Sequence, residues 1–347
     1  MNNNEELSPK VYLNKVLAGT ATGIIVGLIP NAVLAAILKF FGDNVFAVTL
    51  TQVAVIFQIG TPLIIGALVA MQFGLNPMQM MVTGGASFVG SGVVKFNPDA
   101  GAYIGAGTGD IINTMITAAL AVGLILLIGN KFGSVSIVAT PIVVGCGAGI
   151  IGVWLLPYVT KLTTAIGNLI NTFTTLQPIL MSILIACSFA FLIISPISTV
   201  AIGMAIQLGG VSAGAAAMGV AATTIVLVVN SWKVNKSGVT IAVALGAMKM
   251  MMPNLFRKPI ILLPCLFTAI ISAIPVALFS ISGTPASAGF GLVGLVGPLA
   301  SLDNGLSIVL VAICWLVVPI AAALLGQFLF EKVLKLYDRQ DVFEFKG

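Results

Sequence analysis

Acidic residues are so scarce in this chain that each internal one is a candidate for chemistry. Between residues 44 and 330 there are three, Asp99, Asp110 and Asp303. Asp110 precedes the apolar run IINTMITAAL, where a carboxylate would stabilise the N-terminus of a helix. The alternative is a carboxylate at membrane depth that accepts hydrogen bonds from solute hydroxyl groups or binds a coupling cation. Asn113, about one helical turn later, would face the same side. Both residues are candidate solute contacts.

The other two acidic residues lie in turn-like sequence. Asp99 belongs to the Gly-rich stretch KFNPDAGAYIGAGTGD, in which Asn97-Pro98-Asp99 is a turn signal. A turn is the favoured interpretation for Asp99, and solute binding is the alternative. Asp303 lies in the stretch SLDNG and is interpreted as a loop residue rather than an ion ligand.

Basic and amide side chains gather in the segment KMMMPNLFRKP, which contains Lys249, Asn254, Arg257 and Lys258. Positive charge beside apolar spans is typical of cytoplasmic loops, and this is the favoured interpretation. The alternative is a contact to an anion or a phosphate group near a broken helix, made by Lys249 and Asn254. Lys249 could also pair with Asp110 if the two halves of the chain are related by pseudo-symmetry.

Two glutamines occupy similar places, Gln72 in TPLIIGALVAMQFG and Gln207 in SPISTVAIGMAIQLG. Hydrogen bonding between helices is the favoured role for such amides, and binding of sugar hydroxyls is the alternative. The chain has no histidine, and its four cysteines are isolated in apolar runs. Cys–His and Ser–His catalysis are therefore excluded. We expect no catalytic residue, no metal ligand and no cofactor.

The elements that must position these residues are those of an all-α polytopic membrane protein. Hydrophobic residues make up 59% of the chain and charged residues 7%, whereas soluble domains contain about 25% charged residues. The stretches 44–94 and 162–232 contain no charge at all. Because one crossing requires about 20 apolar residues, the sequence predicts about 8–10 transmembrane helices.

Apolar segments divide into strong and weak span candidates. The strong ones are residues 16–38, 45–71, 111–128, 133–159, 178–208, 211–229, 260–280 and 306–330. The weak ones are residues 77–94, 238–252 and 284–300. Glycine, proline or Lys249 interrupts each weak segment, so we expect half-helices or re-entrant hairpins there. Such backbone survives at membrane depth only where it is buried in protein or lines a cavity.

Basic residues at the two ends of the chain predict its orientation. Lys10 and Lys15 precede the first span, and Lys332, Lys335 and Arg339 follow the last. The positive-inside rule then places both termini in the cytoplasm, with an even number of crossings. We expect a cytoplasmic segment over residues 1–15, a membrane domain over 16–335 and a cytoplasmic tail over 336–347.

Ordered features also predict an internal duplication, with repeats over residues 45–160 and 178–300. TPLIIGALVAMQFG from Thr61 matches SPISTVAIGMAIQLG from Ser195, and TPIVVGCGAGIIG and TPASAGFGLVGLVG follow later in the same order. The alternative is a chance alignment of helices rich in Ala, Gly and Val. Duplicated halves are common in transporters, whose solute sites lie where the repeats meet.

These Gly-rich, Thr-Pro-led segments and the block FNPDAGAYIGAGTGDIINTM resemble the membrane subunit IIC of bacterial phosphotransferase systems, in the divergent perfringolysin-regulator-like branch. The resemblance implies a dimeric sugar permease of the bacterial plasma membrane that works by alternating access. It also implies a partner IIB protein that phosphorylates the solute and receives phosphate through soluble carriers, IIA among them. Better-known IIC proteins use a histidine and a glutamate around the sugar, and this chain has no histidine.

The leading hypothesis is a permease for a small polar solute, a sugar or sugar derivative, with Asp110, Asn113 and Lys249 as the main contacts. One alternative is a membrane sensor or regulator that binds its ligand without turnover. Another is a secondary transporter in which Asp110 or Asp303 binds the coupling ion. The basic residues flank spans, so we expect a lipid bilayer and no nucleic acid as the partner.

Overall fold

The computed structural model describes residues 8–38, 41–42, 44–285 and 287–345. The first helices are α1 (Pro9–Leu38), α2 (Val45–Ile59), α3 (Thr61–Gln72), α4 (Pro77–Gly90), α5 (Ile111–Ile128), α6 (Ser136–Thr140) and α7 (Gly147–Thr172). A two-stranded antiparallel hairpin, β1 (Val94–Asn97) and β2 (Ala102–Gly105), separates α4 from α5. The expected N-terminal segment lies partly outside the described residues, and α1 already begins at Pro9.

The later helices are shorter and more often interrupted. They are α8 (Pro178–Ile194), α9 (Thr199–Ala205), α10 (Gly210–Ser231), α11 (Ser237–Ala244), α12 (Met252–Arg257), α13 (Leu262–Leu278), α14 (Val296–Asp303), α15 (Ile308–Ala312), α16 (Val318–Gln327) and α17 (Arg339–Phe343). Short 3-10 or π-helical turns join several helices along the whole described chain, including a π-helical stretch over Pro141–Cys146 between α6 and α7. The predicted all-α polytopic fold is confirmed.

The chain divides into two compact units, which are described separately. The first unit contains the described residues up to Asn31 and those between Gln52 and Thr160. The second unit contains the described residues between Ala32 and Thr51 and between Lys161 and Lys346. In the first unit, α3, α4 and α5 pack on one another. In the second, α8, α10 and α13 form the corresponding centre, and α16 packs against α10 and α13.

Six helical segments of the described chain are long and apolar enough to cross a membrane: Pro9–Leu28, Ile111–Ile128, Gly133–Thr175, Gly210–Ser231, Pro259–Leu278 and Ile308–Val333. A seventh span arises if α2 and α3, which meet at a 48° bend, are counted together. These seven correspond to seven of the eight strong candidates. By length and composition the described residues thus contain six or up to seven candidate spans, and the shorter apolar helix α8 lies within the remaining strong candidate.

The expected span over residues 178–208 is not one continuous helix, because the helix breaks near the middle of the segment. Helix α8 ends at Ile194, Ser195 is extended (φ −77°, ψ 169°), and α9 begins only at Thr199. Pro196 explains the break, since it lacks an N–H and disfavours helical backbone at the residue before it. Apolar composition continues through the break, so hydropathy does not reveal it.

The three weak segments form no long helix in the described chain, as expected. Residues 77–94 form the 14-residue α4 and the start of β1; residues 238–252 form α11 and a 3-10 turn; residues 284–300 form 3-10 turns and part of α14. Helix α4 starts with a capping box, in which Asn76 and Gln79 bond each other's backbone N–H groups. This cap and Pro77 at the first helical position let the chain reverse sharply after α3.

Small residues set how closely the helices approach one another in each unit. A Cβ added to Gly84 of α4 would lie 2.8 Å from the carbonyl oxygen of Leu63 in α3. In the second unit, Gly219 of α10 lies directly against the backbone of Ala186 in α8, and the residues 213–227 of α10 are all buried. Backbones that approach this closely stabilise helix pairs in membranes, where hydrophobic driving force between helices is absent.

Adjacent glycines in α4 provide a matched test of this packing. Gly84→Ala should lower the free energy of unfolding by about 1–3 kcal/mol, because the new methyl group overpacks the contact with Leu63. Gly85→Ala places its methyl group where no atom lies within 4 Å. It should leave stability equal or slightly higher, since Ala favours helix over Gly. Denaturant unfolding of both variants in detergent measures the difference, and equal values would contradict the packing.

Candidate functional site

Asp110 lies at the start of α5 and caps it. Its Oδ1 accepts a hydrogen bond from the backbone N–H of Asn113 at 2.9 Å, and its own N–H donates to the carbonyl oxygen of Ser91 at 2.8 Å. Burial raises the pKa of the carboxyl group, and the backbone N–H groups of Asn113 and Ile112 act in the opposite direction. The side chain is half-buried, so part of it remains available to a ligand.

Asn113 joins three helices of the first unit. Its side chain is fully buried, and Nδ2 donates to the carbonyl oxygens of Gly90 at 2.6 Å and Gly152 at 2.8 Å. These carbonyls belong to the end of α4 and to α7, so one amide on α5 connects all three elements. Its Oδ1 is buried with no hydrogen-bond partner among the described residues. The donors of this amide are therefore used within the protein, and one acceptor remains.

Asp99 lies in the turn of the β1–β2 hairpin. It is exposed, and the side-chain oxygen Oδ1 of Asn97 accepts hydrogen bonds from the N–H groups of Asp99 and Ala100, at 2.9 and 3.2 Å. This is the turn that the Asn-Pro-Asp sequence predicts. Asp303, at the end of α14, is also exposed.

The two candidate glutamines lie at the end of a short helix or just after one, at similar points of the two units. Gln72 is the last residue of α3 and is half-buried. Gln207 follows α9, is exposed, and has a left-handed backbone with φ of 53°. Its Nε2 donates to the carbonyl oxygen of Met204 at 3.0 Å, within the same turn. In the described structure the amide of Gln207 thus bonds its own turn rather than a neighbouring helix.

Lys249 is buried at the break between α8 and α9. It lies in a 3-10 turn and is 7% exposed. Its Nζ donates to the carbonyl oxygen of Ser195 at 2.5 Å and to that of Ile197 at 2.8 Å. A cation is favoured there because these two carbonyls lie just after the end of α8, outside any helix, and backbone carbonyl oxygens carry partial negative charge. The expected pairing of Lys249 with Asp110 joins residues of different units and stays a prediction.

Helix α9 and the third weak segment also meet within the second unit. Thr199 Oγ1 donates to the carbonyl oxygen of Gly289 at 2.9 Å, and Gly289 lies directly against the backbone of Val200. Thr284 and Ser287 bond each other's backbone N–H groups at the start of this segment. Non-helical backbone at the start of α9 and in the segment 284–300 is thus hydrogen-bonded by side chains of the protein, as buried backbone groups require.

Asn254 holds the C-terminal segment of the chain. Its Nδ2 donates to the carbonyl oxygens of Val342 and Glu344, both at 2.8 Å. Asn235 adds two bonds: its Nδ2 donates to the carbonyl oxygen of Phe343, and its Oδ1 accepts from the N–H of Phe345, both at 2.7 Å. Asn235 was not predicted from the sequence. The one available signal is the adjacent apolar pair Val342 and Phe343 in a charged segment, and the structure buries both residues in α17.

A large apolar groove lies in the first unit, between α4 and the π-helical stretch before α7. Its volume is about 1010 Å³, and its lining includes Met81, Val89, Cys146, Ile150 and Trp154. A pocket for a polar solute requires several convergent polar groups, and no charged or amide side chain lines this groove. It is therefore a poor candidate for a sugar site.

These observations define a polytopic helical membrane protein whose interrupted helices are bound by buried polar side chains. The family model described as "Phosphotransferase system, EIIC" matches residues 14–343, so the chain belongs to this family. No curated protein and no solved structure matches it. Family membership makes the chain a membrane permease subunit of the phosphotransferase system, which works with IIA and IIB partners on a solute.

The two hydrogen bonds of the Asn113 side chain predict a large loss of stability when this side chain is removed. Asn113→Ala should lower the free energy of unfolding by about 1–3 kcal/mol, because two buried carbonyls lose their donor. Asn304→Ala is the matched control, since its exposed side chain bonds only its own helix. Thermal unfolding in detergent compares the two, and equal midpoints would show that the three-helix junction contributes little.

Removal of the hydrogen bonds made by Asn254 or Asn235 should release the C-terminal segment. Asn254→Ala or Asn235→Ala should raise the rate of proteolytic cleavage within residues 338–345 by roughly tenfold, since the lost hydrogen bonds cost about 1–3 kcal/mol. Lys258→Ala is the control. Its ion pair with Asp341, at 2.6 Å, is about half exposed, and such pairs contribute little. A control cleaved as fast as the two Asn variants would contradict the assignment.

Proposed function

We propose that this chain translocates a sugar or sugar derivative by alternating access, as a homodimer of the bacterial plasma membrane. Its membership of the EIIC family over residues 14–343 carries the proposal. The sequence block FNPDAGAYIGAGTGDIINTM supports the perfringolysin-regulator-like branch of the family. The cytoplasmic position of both termini, inferred from the basic residues beside the first and last spans, belongs to the same proposal.

The arrangement of each unit supports transport rather than a purely structural role. Both units contain a short helix that ends near a glutamine, followed by a helix rich in small residues. This shared order supports the proposed duplication, with repeats over residues 45–160 and 178–300. Interrupted helices are a frequent feature of transporters, because they present backbone groups and helix ends to a solute.

Asp110 is the proposed contact of the first unit. It is a half-buried carboxylate that keeps unused acceptor positions after capping α5. Hydrogen bonds from sugar hydroxyl groups to a partly desolvated carboxylate are strong. Asn113 supports this position by holding α5 against α4, and its own side chain is fully buried.

Lys249 is the proposed contact of the second unit. An ammonium group has three N–H donors, and the carbonyls of Ser195 and Ile197 account for two of them. The third donor suits a hydroxyl or phosphate oxygen of the solute. The donors of Asn254 are occupied by the C-terminal segment. Asp99, Gln72 and Gln207 lie in turns or at helix ends, and they rank behind Asp110 and Lys249 in this proposal.

Uptake of labelled sugars into liposomes containing the purified protein tests the proposal, with and without IIA, IIB and a phosphate donor. Asp110→Asn should reduce uptake about tenfold or more, because a charge-assisted hydrogen bond contributes about 1.5–3 kcal/mol. Asn still caps a helix, so folding should be preserved. Asp303→Asn, at an exposed position, should leave uptake unchanged.

Three results would each contradict a part of the proposal. Binding of a sugar without any flux would indicate a sensor or regulator with a permease fold. Equal uptake by Asp110→Asn and Asp303→Asn would remove Asp110 from the solute contacts while leaving the transport function standing. A requirement for an ion gradient would indicate a secondary transporter instead.

A further inference from the structure

The surroundings of the Lys249 ammonium group are those of a small cation site. Both described partners of Nζ are main-chain carbonyl oxygens, those of Ser195 and Ile197. None of the ion pairs in the described part of the chain involves Lys249. A buried lysine is ordinarily paired with a carboxylate. Here the opposing charge comes instead from the partial negative charges of backbone dipoles.

The backbone at this position has the geometry that membrane proteins use to coordinate monovalent cations. Helix α8 stops at Ile194, and in the unwound segment before Thr199 the carbonyls of Ser195 and Ile197 accept hydrogen bonds from Lys249. Ends of half-helices and unwound carbonyls coordinate Na⁺ in transporters with broken helices. Carbonyl oxygens replace the hydration shell of K⁺ in a similar way. The break between α8 and α9 therefore offers oxygen ligands to a positive charge.

We propose that the carbonyls of Ser195 and Ile197 form a monovalent cation site that the chain fills with the ammonium group of its own Lys249. The side chain then stands in for a free ion such as Na⁺, K⁺ or ammonium. The positive charge at the α8–α9 break is then supplied by the chain itself and does not depend on an ion gradient. This inference goes beyond the proposed function, because it holds whichever solute is carried.

The proposal differs from a plain hydrogen-bonding role for Lys249. A neutral donor could satisfy one carbonyl, but it would not offset the partial charge at the end of α8. Deleting the side chain would leave two buried acceptors without a donor, beside the buried Met248, Met250 and Met251. An ion small enough to enter the vacated space would restore both contacts at once.

Thermal unfolding in detergent, in salts of matched ionic strength, tests the proposal with three proteins. The wild type should have the same midpoint in choline, sodium, potassium and ammonium chloride. Lys249→Ala should have a lower midpoint in choline, which is too large to enter. At least one small cation should raise that midpoint by about 2 °C or more, as ligand binding to the folded state requires. Lys131→Ala, at an exposed turn, should behave as the wild type.

Lys249→Gln separates charge from hydrogen bonding. Its neutral amide still donates, and it should remain less stable than the wild type in choline. A Gln variant as stable as the wild type would overturn the proposal, as would a Lys249→Ala variant that no small cation stabilises. Should the Ala variant not survive in choline, recovery of folded protein in ammonium supports the proposal, and failure in every salt overturns it.

Discussion

The need to bond every backbone group inside a membrane is the constraint on which this structure depends. A continuous helix satisfies its own N–H and C=O groups, but a broken helix cannot, and lipid offers no replacement. Where its helices are interrupted, this chain satisfies free backbone groups with hydrogen bonds from side chains. Asp110 bonds the start of α5, Lys249 bonds the end of α8, and Asn113 bonds carbonyls of two neighbouring helices. These three side chains therefore lie where helices begin, stop or meet.

Glycine and alanine make these breaks compatible with tight packing. Where α3 turns back into α4, glycines let the two backbones come into direct contact. Helix α10 lies among α8, α13 and α16 with small residues over most of its length. Small side chains leave little conformational entropy to lose on burial. A closely packed centre with interrupted elements beside it is compatible with the alternating-access transport proposed for this chain.

Much of the fold could be predicted from hydropathy. Charged side chains are costly inside a bilayer, so long uncharged segments mark the spans. Residues 111–128 were predicted with the same bounds as α5. The break at Pro196 was not predicted, since apolar residues continue on both sides of it. The turn at Asp99 could be predicted because Asn, Pro and Asp act locally. The partners of Lys249 and Asn254 could not, since the carbonyls they bond lie 52–54 and 88–90 residues away.

The C-terminal segment shows how misleading a terminal position can be. Residues after 335 carry charges and follow the last span, so they look like a solvent-exposed tail. In the structure Val342 and Phe343 are buried, and amide side chains bond the backbone on both sides of them. In a survey of sequence variation this segment would behave as interior protein: apolar positions would tolerate only other apolar residues of similar size. Domains or labels joined to the chain would therefore begin from an anchored point rather than from a flexible tether.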